Sequence, residues 1–292
     1  MTPATAAAAR SSRPATGRPD LRLQLFSDLH LERDPAFQPQ VVPDANVLVL
    51  AGDIGSYQAG SHLLPFGPDA DWGLSRFSPR LGAPWKRVLY VPGNHEYDGL
   101  PWPQAQTQLR ACCERLGIEW LDRELIVIDG VRFLGCTLWA DFDLLVDPRS
   151  PMAAQLKARD KAYRAANFYL RRFSALEDDK PMLAERLREL ALADQDWLRA
   201  ALAQPFEGRT VVVTHFAPSG LSADPRYGLT PGTAGFCSAL DALLPQADLW
   251  LHGHLHCRHD YRMGRCRVVA NARGYAGKGE QDGFIEALGL TV

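Results

Sequence analysis

Val88-Leu89-Tyr90-Val91 is an apolar run that leads directly into Pro92-Gly93-Asn94-His95-Glu96, where metal-ligating side chains begin. Four other short apolar runs end in the same way; they cover residues 23–26, 47–50, 211–213 and 249–251, and the side chains after them are Asp28 and His30, Asp53, His215, and His254 and His256. Short runs of β-branched and aliphatic residues between glycines and prolines predict buried strands. Because α/β sheets bind their ligands at the carboxyl ends of strands, five such ends carrying Asp, Asn and His predict one polynuclear metal site.

The residue types at these strand ends favour a particular class of metal. Asp28 and His30 are separated by one residue, so both can face one cation. Asp53 is a lone carboxylate with two oxygens, which suits it to bridge two ions. Imidazole nitrogen suits Zn, Fe and Mn better than Ca or Mg. Two such ions generate hydroxide at neutral pH and hold both sides of an in-line displacement at phosphorus, and His95 is then free to act as a general acid.

Bulk composition predicts a cytoplasmic protein without a membrane partner. The chain has 292 residues, of which 46% are hydrophobic and 23% charged, as in ordinary globular proteins. A net charge of −2 provides no global basic field for nucleic acid, so a nucleic-acid partner is not expected. No run approaches the ~18 apolar residues of a membrane-spanning helix. The six cysteines form no CxxC pair, which predicts reduced thiols. The sequence carries no signal of oligomeric state.

The order of the remaining patterns predicts a single layered α/β domain. Residues 1–20 are rich in Ala, Thr, Ser, Pro and Arg and are predicted to be a disordered tail, with one domain at residues 21–292. A helix is predicted over residues 104–116, and a strand pair at 125–128 and 131–139 turns at Asp129-Gly130. Residues 150–204 predict a helical insertion with helices at 153–173 and 182–202, either a lid or part of the outer layer. Strands follow at 210–213, 249–251, 266–270 and 284–288.

The motifs, taken in order, closely resemble the calcineurin-like metallophosphoesterase superfamily, in a bacterial branch of unclear substrate. They are Asp28-x-His30, Gly52-Asp53, Gly93-Asn94-His95-Glu96, His215, and Gly253-His254-x-His256. The resemblance implies a four-layer α/β/β/α sandwich, with two facing mixed β-sheets flanked by helices. It also implies two divalent metal ions of the Mn, Fe or Zn class, one held by Asp28, His30 and His256, the other by Asn94, His215 and His254, with Asp53 bridging and His95 catalytic.

The function that this resemblance implies is hydrolysis of a small phosphoester substrate. We expect phosphodiesters to be favoured, with a metal-bridging hydroxide attacking phosphorus and His95 protonating the leaving group. Two alternatives stay open: a phosphomonoesterase or protein phosphatase, and a non-catalytic scaffold of the same fold. Arg273, Tyr97 and His252 are predicted to contact substrate, Arg273 because its planar fork can grip a phosphate.

Overall fold

Residues 20–292 are described by a computed structural model, and the tail predicted for residues 1–20 lies outside them apart from Asp20. The helices are α1 (Trp102–Leu116), α2 (Met152–Leu170) and α3 (Ala184–Ala203). The strands are β1 (Arg22–Phe26), β2 (Val47–Ala51), β3 (Arg87–Val91), β4 (Glu119–Trp120), β5 (Glu124–Ile128), β6 (Val131–Cys136), β7 (Leu176–Glu177), β8 (Lys180–Pro181), β9 (Arg209–Thr214), β10 (Leu249–His252), β11 (His259–Met263), β12 (Cys266–Ala270) and β13 (Gly289–Thr291).

Two mixed sheets contain most of these strands. The first has the order β13-β1-β2-β3-β4 and the second β11-β12-β10-β9-β6-β5. In the first sheet β1 to β4 are parallel and β13 joins antiparallel; in the second, β12, β10, β9 and β6 are parallel between antiparallel edge strands. The parallel strands therefore bring their carboxyl ends, and the side chains that follow them, to one edge of each sheet.

The core lies between the two sheets and continues on their outer faces. Along β2, Val47 and Val49 pack against the second sheet, whereas Leu48 and Leu50 face the opposite way. Both faces are buried, which explains why the central strands are continuously apolar. Helix α1 covers the outer face of the first sheet, and the end of α3, through residues such as Leu198, covers the second. The predicted four-layer α/β/β/α arrangement is confirmed.

Several local predictions need correction. Residues 284–288 do not form a strand; the side chain of Asn271 donates to the carbonyl of Ile285 and accepts its N–H, which replaces strand pairing there. The strand predicted over 131–139 ends at Cys136, because Thr137 N donates to Asp122 and Leu138 has φ 55°. Strands β4, β11 and β13 and the short β7–β8 hairpin were not predicted.

Two predictions from composition concern the cysteines and membrane-spanning helices. All six cysteines are free thiols, as predicted. Within residues 20–292, each helix is too short or too polar to cross a bilayer.

Candidate metal centre

Two groups of metal-type ligands meet where the parallel strands end, and they share Asp53. The first group is Asp28, His30, Asp53 and His256, and the second is Asp53, His215 and His254; within each group the ligand atoms lie within 4.8 Å of one another. Asn94 joins the second group, because its Oδ1 lies 3.2 Å from His215 Nε2. The structure thus brings together all seven residues predicted as metal ligands.

The backbone at these ligands adopts a conformation that ordinary residues avoid. Asp28, His30, Asp53, His254 and His256 all have positive φ, between 47° and 75°. A non-glycine residue in this region costs about 1–3 kcal/mol and persists only where the surroundings enforce it. Five such residues around one point indicate that folding alone does not account for them.

Glycines next to the ligands allow the strand ends to approach one another. A Cβ on Gly52, whose φ is 84°, would lie 2.3 Å from His215 Nδ1. A Cβ on Gly253 would lie 2.4 Å from Asp28 Oδ2. Real Cβ contacts are never this short, so only glycine lets the ligands of neighbouring strands come within coordinating distance of one cation.

The donor atoms suit cations better than they suit one another. His30 Nε2 and His256 Nε2 face each other at 3.0 Å, and their Nδ1 atoms already bond Glu32 and Glu280. Two neutral rings in this arrangement would oppose their lone pairs, so a proton or a cation must lie between them. Asp53 Oδ2 is buried without a hydrogen bond from residues 20–292 and faces His215 Nε2 at 3.2 Å. The site fits metal ions.

Three of the four histidine ligands have their second ring nitrogen hydrogen-bonded, which orients the ring. His30 Nδ1 lies 3.1 Å from Glu32 Oε1, and His256 Nδ1 lies 2.7 Å from Glu280 Oε2. His215 Nδ1 donates to the carbonyl of Ala51 at 2.9 Å. Sequence reasoning missed Glu32 and Glu280; Glu32 could have been suspected from its position two residues after His30, whereas no local pattern points to Glu280.

Glu96 links the loops that follow β2 and β3 by hydrogen bonds. Its carboxylate accepts N–H groups from Asp53 at 3.0 Å, Ile54 at 2.7 Å and Gly93 at 2.8 Å. Burial and the charge of Asp53 raise the pKa of Glu96 to about 8, while the N–H donors of Ile54 and Gly93 oppose that rise. Its place is that of a hydrogen-bonding partner, since all three bonds go to the loops that carry the ligands.

His95 lies beside the ligand groups and makes a separate contact. Its Nδ1 lies 2.5 Å from Asp98 Oδ2, and its Nε2 faces Asp53 Oδ2 at 4.0 Å. Burial lowers the pKa of His95, but Asp98 and Asp53 outweigh burial and raise it to about 10. Nδ1–H is therefore donated to Asp98, and Nε2–H points into the centre. Asp98 had not been predicted from the sequence.

The carboxylates give the centre a negative field. Although burial opposes ionisation, the hydrogen bond to His256 and the charge of His215 lower the pKa of Asp28 to about 2. Burial also opposes the charged form of His215 and His256. Asp53 nevertheless raises the pKa of His215 to about 9, and Asp28 and Glu280 raise the pKa of His256 to about 9. Burial instead lowers the pKa of His30 and His254, so the carboxylates favour protonation of only two of the four imidazoles, and a metal cation would replace those protons.

A cavity of about 810 Å³ opens over the centre. His30, Asn94, His95, His254 and His256 form its floor. On the His30 side the wall includes Arg33, Tyr275 and Lys278, and on the His254 side it includes Tyr169, Phe216 and Phe236. The cavity is thus polar at one end and aromatic at the other.

The three residues predicted to contact substrate lie in different places. Arg273 lines the cavity, but its guanidinium donates to Asp34 at 2.5 Å and stacks on Phe37 at 4.4 Å. Tyr97 is fully buried and packs against Trp102 and Trp139. His252 is also fully buried, and its Nε2 bonds Ser222 Oγ at 2.9 Å. Among the described residues, neither Tyr97 nor His252 lines the cavity.

Comparisons with known proteins agree with this geometry. The sequence profile of the calcineurin-like phosphoesterase family matches residues 21–258. An uncharacterized protein of Acanthamoeba polyphaga mimivirus is 23% identical over a comparison of 281 residues, and the match covers 87% of this chain and 91% of the viral protein.

Among solved structures, the phosphopantetheinyl hydrolase from Mycobacterium tuberculosis is 18% identical with a TM-score of 0.65, over 94% of this chain and 96% of that one. A dimetal phosphatase from Danio rerio is 11% identical with a TM-score of 0.43, over 86% of each chain. At these identities a structural likeness concerns the fold alone.

Proposed function

The chain belongs to the calcineurin-like phosphoesterase family and is a metal-dependent phosphoric ester hydrolase, and from this premise we propose that it cleaves phosphodiesters at a centre of two divalent ions. The observation that carries the proposal is the pair of ligand groups sharing Asp53 at the floor of a cavity. Imidazole and carboxylate ligands in this proportion favour Mn, Fe or Zn. We assign Asp28, His30 and His256 to one ion and Asn94, His215 and His254 to the other, with Asp53 between them.

Each part of the centre has a distinct task in this reaction. When bound, the ions supply Lewis-acid activation of water and of the phosphoryl group. Asp53 stays ionised: burial opposes ionisation, but the charges of His215 and His95 hold its pKa well below the usual range. His95 holds a proton on Nε2, 4.0 Å from Asp53 Oδ2, where a departing alkoxide can receive it.

Phosphodiesters are favoured over monoesters by the shape of the cavity. It continues beyond the ligands on both sides, toward Tyr275 and Lys278 at one end and toward Phe216 and Phe236 at the other. A diester has a substituent on each side of phosphorus and can use both ends, whereas a monoester would leave one end open to water. A volume of about 810 Å³ also exceeds the needs of a phosphate group alone.

The test is turnover of an activated aryl phosphodiester by protein reconstituted with Mn²⁺, with metal content measured on the same samples. We expect about two ions per chain, and His95→Ala should lower kcat by about 10²–10⁴-fold without changing metal content. His62→Ala serves as the matched control, because His62 is an exposed histidine. Full activity of His95→Ala would refute the assignment of His95 as the general acid.

The same assay separates the alternatives. An aryl monoester cleaved faster than the diester would favour a phosphomonoesterase or protein phosphatase. Absence of bound metal after reconstitution would favour a scaffold without catalysis.

A further inference from the structure

A row of aromatic rings leads away from the metal centre on one side. Phe216 packs on the ring of His254 at 3.9 Å between centroids, and Phe236 lies 5.1 Å from the same ring. Tyr169, near the end of α2, stacks on Phe236 at 5.7 Å with the planes only 12° apart. We call Phe216, Phe236 and Tyr169 the aromatic wall; it begins at a metal ligand and continues along the cavity.

The aromatic wall is preformed. Helix α2 packs against the turn Pro231–Gly235, and a Cβ on Gly235 would lie 2.7 Å from Tyr169 Oη. Tyr169 is half-buried and lines the cavity, and burial raises its pKa above the usual value. Preformed apolar surfaces bind apolar groups without a further cost of ordering. A ring set of this kind at a metal centre is therefore suited to hold part of a substrate.

The two ends of the cavity differ in charge. At the His30 end, Lys278 Nζ lies 4.5 Å from the ring of Tyr275, and Arg33 donates only to backbone carbonyls among the described residues. At the aromatic end, Arg226 is paired with Asp224 at 2.7 Å, so its charge is neutralised. Arg33 and Lys278 thus bring positive charge to one end, which also carries Glu280 near Lys278, and uncharged aromatic surface lies at the other.

We propose that the substrate is an asymmetric phosphodiester, one of whose ester groups is an elongated, uncharged alkyl chain lying along the aromatic wall. The inference rests on the proposed function and names the substrate class for it. The other ester group is polar and faces Arg33 and Lys278. A charged or strongly hydrated group against Phe216 and Phe236 would lose water without gaining a partner, which disfavours the reverse orientation.

The test uses a series of alkyl p-nitrophenyl phosphates, from methyl to hexyl, with the Mn²⁺-reconstituted full chain. The leaving group is the same throughout, so the series varies only the retained chain. Each methylene moved from water onto apolar surface favours binding about fourfold. In an open cavity we expect about half of that free energy to be realised for each added methylene, so kcat/KM should rise about 30-fold from methyl to hexyl.

Variants on one helix provide the matched controls. Tyr169→Ala and Phe236→Ala should each lower the hexyl-to-methyl ratio at least fivefold, whereas Tyr169→Phe, which keeps the ring, should retain it. Phe168→Ala should leave the ratio unchanged, because Phe168 is 87% exposed and does not line the cavity. Equal kcat/KM along the series, or an equal effect of Phe168→Ala and Tyr169→Ala, would overturn the inference while the diesterase stands.

Failure of the proposed function has a different signature. If no member of the series is cleaved, the phosphodiesterase proposal fails. Calorimetric binding of methylphosphonate and hexylphosphonate then still tests the aromatic wall, because it needs no turnover. Equal affinity for the two phosphonates would overturn the wall's role, and a hexyl preference lost in Tyr169→Ala but kept in Phe168→Ala would support it.

Discussion

Glu280→Gln should weaken metal binding at the Asp28, His30 and His256 group about tenfold. Glu280 Oε2 accepts the Nδ1–H of His256 at 2.7 Å, and this bond turns the opposite nitrogen toward Asp28 Oδ1 at 3.5 Å. The same oxygen also accepts the N–H of Tyr275 at 2.9 Å, so it is itself held in place. Glu280 lies beyond residues 21–258, which the family profile matches.

The magnitude follows from what each substitution removes. Partners that orient a metal-ligating histidine are worth about 10–100-fold in metal affinity, or about 1.4–2.7 kcal/mol. Glutamine keeps an oxygen that can accept Nδ1–H but removes the charge, so Glu280→Gln should fall at the lower end. Glu280→Ala removes both and should fall near 100-fold. Solvent-exposed ion pairs are worth less than this, so the larger value would indicate orientation of the ring.

The charge of Glu280 itself should not change with pH between about 6 and 8. Burial opposes ionisation, but His256 and the N–H of Tyr275 lower the pKa of Glu280 to about 2, below the ordinary 4.5. A carboxylate with a lowered folded-state pKa contributes above its unfolded pKa and loses that contribution only as pH falls toward the folded value. The loss of Glu280's contribution therefore belongs to the range from about pH 4.5 down to 2.

The assay is a calorimetric titration of chelator-treated protein with Zn²⁺ and with Mn²⁺. Asp282→Asn is the matched control, because Asp282 is an exposed carboxylate in the same short turn. Wild-type affinity in Glu280→Gln and Glu280→Ala would refute the reasoning. An equal loss in Asp282→Asn would attribute the effect to long-range charge rather than to the bond with His256.

Three further predictions follow from the buried carboxylates and the metal centre. Asp98→Asn should leave metal content unchanged and lower kcat at least tenfold; because Asp98 raises the pKa of His95, the alkaline limb of the pH–rate profile should move to lower pH. Burial and Asp122 raise the pKa of Asp194 to about 7, so ionising it costs stability as pH rises from about 4 to 7. Asp194→Asn should flatten that decline by about 2 kcal/mol in urea unfolding at pH 5 and 7.5, and an unchanged slope would contradict the assignment. Removing metal with a chelator should lower Tm by about 5–10 °C, since bound ions stabilise only the folded chain; an unchanged Tm would mean that no ion was bound.

The sequence predicted the centre better than its surroundings because the ligands follow apolar strands directly. In β3, for example, only two residues separate four buried apolar residues from Asn94, so one short stretch of sequence contains both the strand and the ligand. Local alternation of apolar runs and turn residues was enough to predict the parallel strands other than the two-residue β4. The parallel arrangement then brings their ends to one edge, which is a general property of such sheets.

What was missed depends on contacts between distant segments. Glu280 reaches His256 across 24 residues, and no local pattern announces that contact. Tyr169 is one aromatic residue on a helix of mixed composition and gains its place only when α2 packs on Pro231–Gly235. The strand predicted at 284–288 was wrong because of a similar long-range contact. The side chain of Asn271 bonds the backbone N–H and carbonyl of Ile285, which a neighbouring strand would otherwise bond.

The strained backbone connects metal binding to the stability of the fold. Positive φ at Asp53 and His254 is maintained partly by carboxylates, since both oxygens of Asp28 accept the N–H of His254 at 3.0 Å and Glu96 accepts that of Asp53. Asp28 therefore serves both as a ligand and as an acceptor that holds the loop of another ligand. Sequence rules are expected to fail locally at functional sites, where strain is offset elsewhere. Because the same oxygen atoms hold the loop and can bind the cation, loss of a carboxylate ligand must weaken the loop geometry and the metal site together. Loss of a histidine ligand that is hydrogen-bonded only through its outer nitrogen should not have this double effect.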